Sequence, residues 1–184
     1  MSICRLCNNE FSKLINSHIV PKLFLKYVKE QSITGGLRTV ANPNKREQDG
    51  LKTEFLCKTC EDKFNTYETA FANKIYNLLK ENRETFSFDS NNYRIAYFVL
   101  SVTWRVFQYY WETDKDMVAS FTTEEQEAFM KILDDWREML YLEQYEKIKA
   151  LQMHIIPTEK LDVYQKQPIG KLGHVGMDIK VMGN

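Results

Sequence analysis

The sequence predicts an α+β protein that is predominantly α, and two observations predict it. Cysteines occur as two short pairs in the first third of the chain, and apolar residues recur at helical spacing through much of the remainder. The chain has 184 residues, 43% hydrophobic and 27% charged, which is an ordinary globular composition. We expect a metal-binding module over residues 1–80 and a helical domain with an irregular C-terminal tail over residues 90–184.

The two cysteine pairs are the strongest chemical signal in the sequence. Every cysteine belongs to one of them, Cys4 with Cys7 and Cys57 with Cys60. C-x-x-C spacing lets two thiolates point at one metal ion, and two such pairs supply the four ligands of a tetrahedral structural zinc site. Because 49 residues separate the pairs, the metal would close a long loop, which we expect to carry the active or binding surface.

Two other uses of these cysteines fit the sequence less well than zinc binding. Disulfides need an oxidising compartment, and the residues after Met1 form no apolar signal segment, so a cytoplasmic location is expected. A redox dithiol would need one pair placed after a strand in a βαβ unit, and that pattern is missing from the sequence. Zinc is therefore the preferred interpretation.

The first element predicted is a turn around Cys4 and Cys7, where Asn8 and Asn9 suit a left-handed backbone. Pro21 then favours the first turn of a short amphipathic helix over residues 21–31. Gly35 and Gly36 end that helix. Residues 37–50 are polar and are predicted as a loop, bordered by short strands at residues 37–40 and 52–56.

Helices are predicted for most of the chain that follows. Apolar spacing indicates helices at about 58–80 and 123–142, the second beginning with a capping box formed by Thr122 and Glu125. Residues 93–112 are apolar on nearly all sides, which is typical of a buried central helix. A further helix is predicted at 143–152, and extended segments or an ordered tail are predicted after Pro157.

Charge and hydropathy limit the kinds of partner, such as nucleic acid or a membrane, that the protein could bind. The net charge is zero, but residues 1–63 carry 11 Lys and Arg against 7 Asp and Glu, and the remainder carries 14 against 18. This modest basic bias permits contact with phosphates. No apolar run has the length of a membrane span, so no membrane association is expected.

The order of motifs resembles the HNH endonuclease group of treble-clef, ββα-metal proteins. The resemblance rests on the first cysteine pair, on His18-Ile19-Val20-Pro21, on Gly35-Gly36, and on Leu56 leading into the second pair. It covers roughly residues 1–75. Many proteins of this group are bacterial or phage products, including restriction and antiphage defence components.

The resemblance implies a hydrolytic mechanism. His18 would be the general base that takes a proton from a water attacking a phosphodiester, because an imidazole changes charge near neutral pH. A catalytic divalent ion, separate from the structural zinc, would neutralise the phosphate and the leaving oxygen. Glu61 stands where the group usually has a second metal-binding histidine, and its carboxylate suits Mg²⁺ or Mn²⁺.

The sequence departs from the pattern of the group at two further positions. Ser17 precedes His18 where an acidic residue or histidine is common. The central asparagine expected shortly before the second cysteine pair is missing, and Asn42, Asn44 and Asp49 remain open as substitutes. The set of catalytic residues that is typical of the group is therefore incomplete in this sequence.

Two hypotheses follow from the sequence. The first is a nuclease that acts on DNA, with RNA as the second choice, and contacts the nucleic-acid backbone through Arg38, Lys45, Arg46 and Lys52. The second is a non-catalytic zinc module that binds nucleic acid or a protein. Under either hypothesis the helical half offers a docking surface for a protein partner.

Overall fold

A computed structural model of the chain describes residues 1–31, 36–39, 42–47, 49–77 and 92–151. Within these ranges the protein is mostly helical and carries three small antiparallel strand pairs. The predicted fold class, α+β and predominantly α, is confirmed. The extended segments or ordered tail predicted after Pro157 lie outside the described residues.

The chain begins with a tight turn held between two short strands. Strands β1 (Ser2–Ile3) and β2 (Glu10–Phe11) pair with each other. Between them the Asn8 amide donates to the Cys4 carbonyl at 2.9 Å. Asn8 has a φ of 57°, a left-handed conformation that asparagine tolerates well. The predicted turn is confirmed.

Four more strands and one helix occupy the interval between the cysteine pairs. They are β3 (Ile15–His18), α1 (Lys22–Gln31), β4 (Leu37–Thr39), β5 (Asn42–Glu47) and β6 (Lys52–Leu56). β3 pairs with β6 and β4 pairs with β5, both antiparallel. β5 falls where the sequence predicted only loop, because its polar residues show none of the apolar alternation that marks a half-buried strand.

The second cysteine pair stands at the start of the helical part. Helix α2 (Lys58–Phe71) continues into a π-helical turn at Ala72–Tyr76. The remaining helices are α3 (Tyr93–Thr113), α4 (Lys115–Ala119), α5 (Thr123–Tyr141) and α6 (Tyr145–Ala150). The predicted helices at 93–112, 123–142 and 143–152 match α3, α5 and α6 within one or two residues at most ends.

Helix α3 is the centre of the core, as its apolar sequence predicts. Phe98 stacks on Phe71 of α2 with 4.2 Å between ring centroids. Trp104 lies 5.7 Å from Phe55 of β6, and Leu140 of α5 is fully buried in the same core cluster. The described residues of the cysteine-bearing segment and of the helices thus share one core. The predicted boundary between 80 and 90 falls within residues 78–91, outside the described ranges, so the division into two domains stays a prediction.

Candidate functional site

The four cysteines form a cluster that could hold a structural metal ion such as Zn²⁺. The sulfurs of Cys4, Cys7, Cys57 and Cys60 all lie within 4.8 Å of one another, and the Cys7 and Cys57 sulfurs are 4.0 Å apart. Sulfurs bound to one tetrahedral zinc lie about 3.8 Å apart, given a Zn–S bond of about 2.3 Å. The four sulfurs therefore fit one zinc ion after a small contraction.

Local backbone structure explains why the sulfurs converge. The turn after Cys4 places Cys7 on the same side, and the Arg5 amide donates to the Phe55 carbonyl at 3.1 Å, which ties this turn to the end of β6. Cys57 follows β6 as the N-cap of α2, and Cys60 lies in the first helical turn. The Cys57 amide donates to the Cys4 sulfur at 3.3 Å, a contact that stabilises a thiolate.

Burial and hydrogen bonds between the thiols shift their pKa values in different directions. A hydrogen bond from Cys60 lowers the pKa of Cys4 to about 4 despite its burial. The same bond, together with burial, raises the pKa of Cys60, and burial raises the pKa of Cys7. A metal that binds thiolates must displace the protons that Cys7 and Cys60 retain, so metal affinity increases with pH.

His18 is engaged by a carboxylate from the loop before β6. Its Nε2 lies 2.8 Å from Oδ1 of Asp49, and Lys52 places its Nζ 2.5 Å from the other oxygen, Oδ2. His18 and Lys52 are direct partners in the β3–β6 register, so their side chains share one face of the strand pair. Asp49, one of the three substitutes left open for the missing asparagine, thus contacts His18 through its side chain.

Asp49 is held as a carboxylate by these neighbours. The hydrogen bond to His18, followed by that to Lys52, holds the pKa of Asp49 well below its usual range. The Gly50 amide also donates to Oδ1, at 3.1 Å. A Cβ at Gly50 would overlap the side chain of Leu25 in α1, so a residue without a side chain lets the Asp49 loop lie against that helix.

Glu61 makes a contact that is separate from the group formed by His18, Asp49 and Lys52. The buried Ser17 hydroxyl donates to its Oε2 at 2.7 Å, which joins β3 to the first turn of α2. Because consecutive strand residues point to opposite faces, Ser17 faces α2 while His18 faces Asp49. In the part of the chain that is described, the cysteines are the one group of three or more Cys, His, Asp or Glu side chains close enough to share a metal.

The predicted phosphate-contacting residues lie on the strands around this site. Lys52 bonds to Asp49 as described, and Lys45 is exposed on β5. Arg38 and Arg46 belong to β4 and β5, and their side chains fall outside the described structure. Their contact with nucleic acid stays a prediction.

Sequence reasoning missed one buried polar contact next to the site. Arg105 of α3 is 1% exposed and places Nη2 2.7 Å from Oε1 of Glu68, while its Nη1 donates to the His18 carbonyl at 3.2 Å. A signal was present, because Arg105 is the one charged residue between Arg94 and Glu112 in an apolar run. Buried charges are paired, so a partner on another element was to be expected.

Comparisons with protein-family models, with curated proteins and with solved structures found no match in any of the three. The described helices include none with both the length and the apolar character that a bilayer crossing requires.

Proposed function

We propose that this protein is a metal-dependent nuclease of HNH type that hydrolyses phosphodiester bonds, in DNA by preference, as part of restriction or antiphage defence. The observation that carries the proposal is the contact between His18 Nε2 and Asp49 Oδ1 at 2.8 Å. A histidine oriented by a carboxylate is a common arrangement for a general base. The resemblance to the HNH group assigns that role to the same histidine.

The tautomer of His18 follows from this contact. When neutral Nε2–H donates to Asp49, Nδ1 carries the lone pair and can accept a proton. In the proposed reaction Nδ1 takes a proton from water, the water oxygen bonds to phosphorus, and the bond from phosphorus to the leaving oxygen breaks. Lys52, next to Asp49, places positive charge where a phosphate would approach the same face.

Glu61 is the proposed protein ligand of the catalytic ion. Its carboxylate is a hard oxygen donor, and the Ser17 hydroxyl fixes the orientation of that carboxylate at 2.7 Å. One or two carboxylates, completed by water and substrate phosphate oxygens, are typical of Mg²⁺ sites. When bound, the ion would stabilise negative charge on the phosphate and on the leaving oxygen.

One observation favours a second candidate, a non-catalytic zinc module. His18 and Lys52 both contact Asp49, and these contacts could serve only to fix the loop before β6 in place. Under this alternative the protein would bind nucleic acid or a protein partner without cleaving it, and the strand pair would serve as a stiff platform.

Plasmid nicking separates the two candidates. Zinc-loaded wild type and His18→Ala would be incubated with supercoiled DNA and, in parallel, with single-stranded RNA, in Mg²⁺ or Mn²⁺. We expect wild type to cleave and His18→Ala to lose about 100-fold or more in rate. Asn16→Ala is the matched control, because Asn16 is exposed on β3 two residues before His18 and should leave the rate unchanged.

Each outcome decides between the candidates. Cleavage that persists in His18→Ala would exclude His18 as the base. Absence of cleavage by wild type on both substrates, with retained binding in a gel-shift assay, would favour the non-catalytic zinc module.

A further inference from the structure

Arg105 connects the central helix of the protein to the backbone of the proposed base. It lies 87 positions from His18 in the sequence, yet its Nη1 donates to the His18 carbonyl at 3.2 Å. Its Nη2 meets Glu68 of α2 at 2.7 Å and its Nε donates to the Ser101 carbonyl at 3.3 Å. One guanidinium thus contacts α2, α3 and the end of β3.

The surroundings of Arg105 make its charge hard to explain by stability alone. The side chain is 1% exposed, the carboxylate partner is 18% exposed, and the guanidinium carbon lies 5.1 Å from the centre of the Phe64 ring. Replacing such a buried pair by apolar residues of similar volume is often neutral or stabilising. Apolar residues could not supply the hydrogen bond from Nη1 to the His18 carbonyl.

The hydrogen bond from Arg105 to the His18 carbonyl acts at a point that determines where the His18 backbone lies. β3 ends at His18, and the next amide, that of Ile19, donates to the Leu51 carbonyl at 3.1 Å. These bonds fix the backbone on both sides of the His18 carbonyl carbon. Because Asp49 approaches the imidazole from a loop, the distance between the two side chains depends on where the His18 backbone is held.

We propose that Arg105 is a positioning residue that, together with Glu68, holds His18 in line with Asp49. The proposal rests on the proposed nuclease function, and it assigns to the helical half a direct part in the site. Arg105 does not touch substrate in this scheme. Its effect reaches the reaction through the His18 backbone.

The main test is a double variant, Arg105→Met with Glu68→Leu, which removes both charges and keeps much of the buried volume. We expect the rate constant kcat for plasmid nicking to fall about 10- to 100-fold while KM changes less than about twofold. Thermal unfolding should occur close to the wild-type temperature. The matched control is Tyr97→Phe, which removes a hydrogen bond from the same helix to the Leu140 carbonyl and should leave kcat unchanged.

A spectroscopic measurement reports the environment of the His18 ring independently of any activity assay. Long-range ¹H–¹⁵N spectra report the ring nitrogens, with the His18 signals assigned by their loss in His18→Ala. Wild type should show a single tautomer with the proton on Nε2, and the double variant should shift toward the pattern of Asp49→Asn. Wild-type ring signals together with wild-type kcat in the double variant would overturn the proposal.

Two further outcomes are distinguishable. If wild type does not nick any substrate, the nuclease proposal fails, and the ring signals alone decide whether Arg105 positions His18. If the double variant does not fold, Arg105→Lys takes its place, since lysine keeps a charge for Glu68 but loses the forked pair of donors. Arg105→Lys should lower kcat by an intermediate factor and shift the His18 signals, and no change in either would count against the proposal.

Discussion

At the scale of single residues, the site depends on a few side chains that each meet two partners. Asp49 accepts from His18 with one oxygen and from Lys52 with the other. The C-x-x-C pairs were predictable because both the spacing and the chemistry are local in the sequence. Asp49 could be named only as one of three substitutes, because 31 positions separate it from His18 and only the β3–β6 register brings the two together.

Acid should weaken the contribution of Asp49 to folding. Its pKa in the folded protein lies below the usual value because His18 and Lys52 bond to the carboxylate. The stabilisation is therefore complete above about pH 4, where an unfolded-chain aspartate is ionised, and is lost as the pH falls further. Urea unfolding of wild type and Asp49→Asn at a series of pH values checks this. The free-energy difference between them should shrink below about pH 4, and a difference that grows there would contradict it.

Replacing one sulfur ligand should remove the metal. Cys57→Ser leaves three of the four thiolates in the cluster, and because metal binding in such modules contributes directly to folding, we expect a large drop in the unfolding temperature. Metal analysis of the purified protein should fall from about one zinc per chain to near zero. Thr59→Ser, which changes an exposed residue between Cys57 and Cys60, is the control and should retain the metal.

At the scale of elements, side-chain caps mark the starts of three of the six helices named above. Asn92 and Asp114 cap α3 and α4 through their side chains, and α5 begins with the capping box predicted from Thr122 and Glu125. The short helix α4 was missed because it is only five residues long, too short to show an apolar period. β5 was missed because its pairing with β4, and not its own sequence, makes it a strand.

Removing the cap of α5 should cost a measurable part of the stability. In Thr122→Ala the Glu125 amide loses its acceptor, which lies at 3.3 Å, and we expect about 1 kcal/mol lower free energy of unfolding. Urea denaturation followed by circular dichroism measures it. Thr123→Ala changes the neighbouring exposed residue, whose side chain is not the cap, and should alter stability by less than half as much.

At the scale of the whole molecule, two of the helices contact the segment that carries the first cysteine pair. Arg5 pairs with Glu112 of α3 at 2.7 Å, and Arg137 of α5 donates to the Leu6 carbonyl at 3.4 Å. Both contacts reach the turn between Cys4 and Cys7. The sequence could not predict them, because they join residues more than 100 positions apart and involve no recognisable motif.

These contacts and the shared core predict that the metal site and the helices unfold together. All three tryptophans, Trp104, Trp111 and Trp136, belong to helices. Because Trp104 also packs on Phe55 of β6, their fluorescence reports the helical part together with its packing on β6. Zinc release, followed with a colorimetric chelator, reports the cysteine cluster. We expect the two signals to change at the same urea concentration, as a two-state transition requires. Zinc release at clearly lower urea would instead support two separate domains.

The strand pair β4–β5 lies inside the interval that the four cysteines close, and its far end joins Thr39 to Asn42. The entropy of closing a loop rises only with the logarithm of its length, so doubling the loop costs about 0.6 kcal/mol. Extra residues spliced in between Thr39 and Asn42 would leave the sulfur ligands and the central helix in register. We therefore expect an insertion at that end, whether through natural variation or as a grafted reporter peptide, to leave the cysteine cluster able to bind a metal.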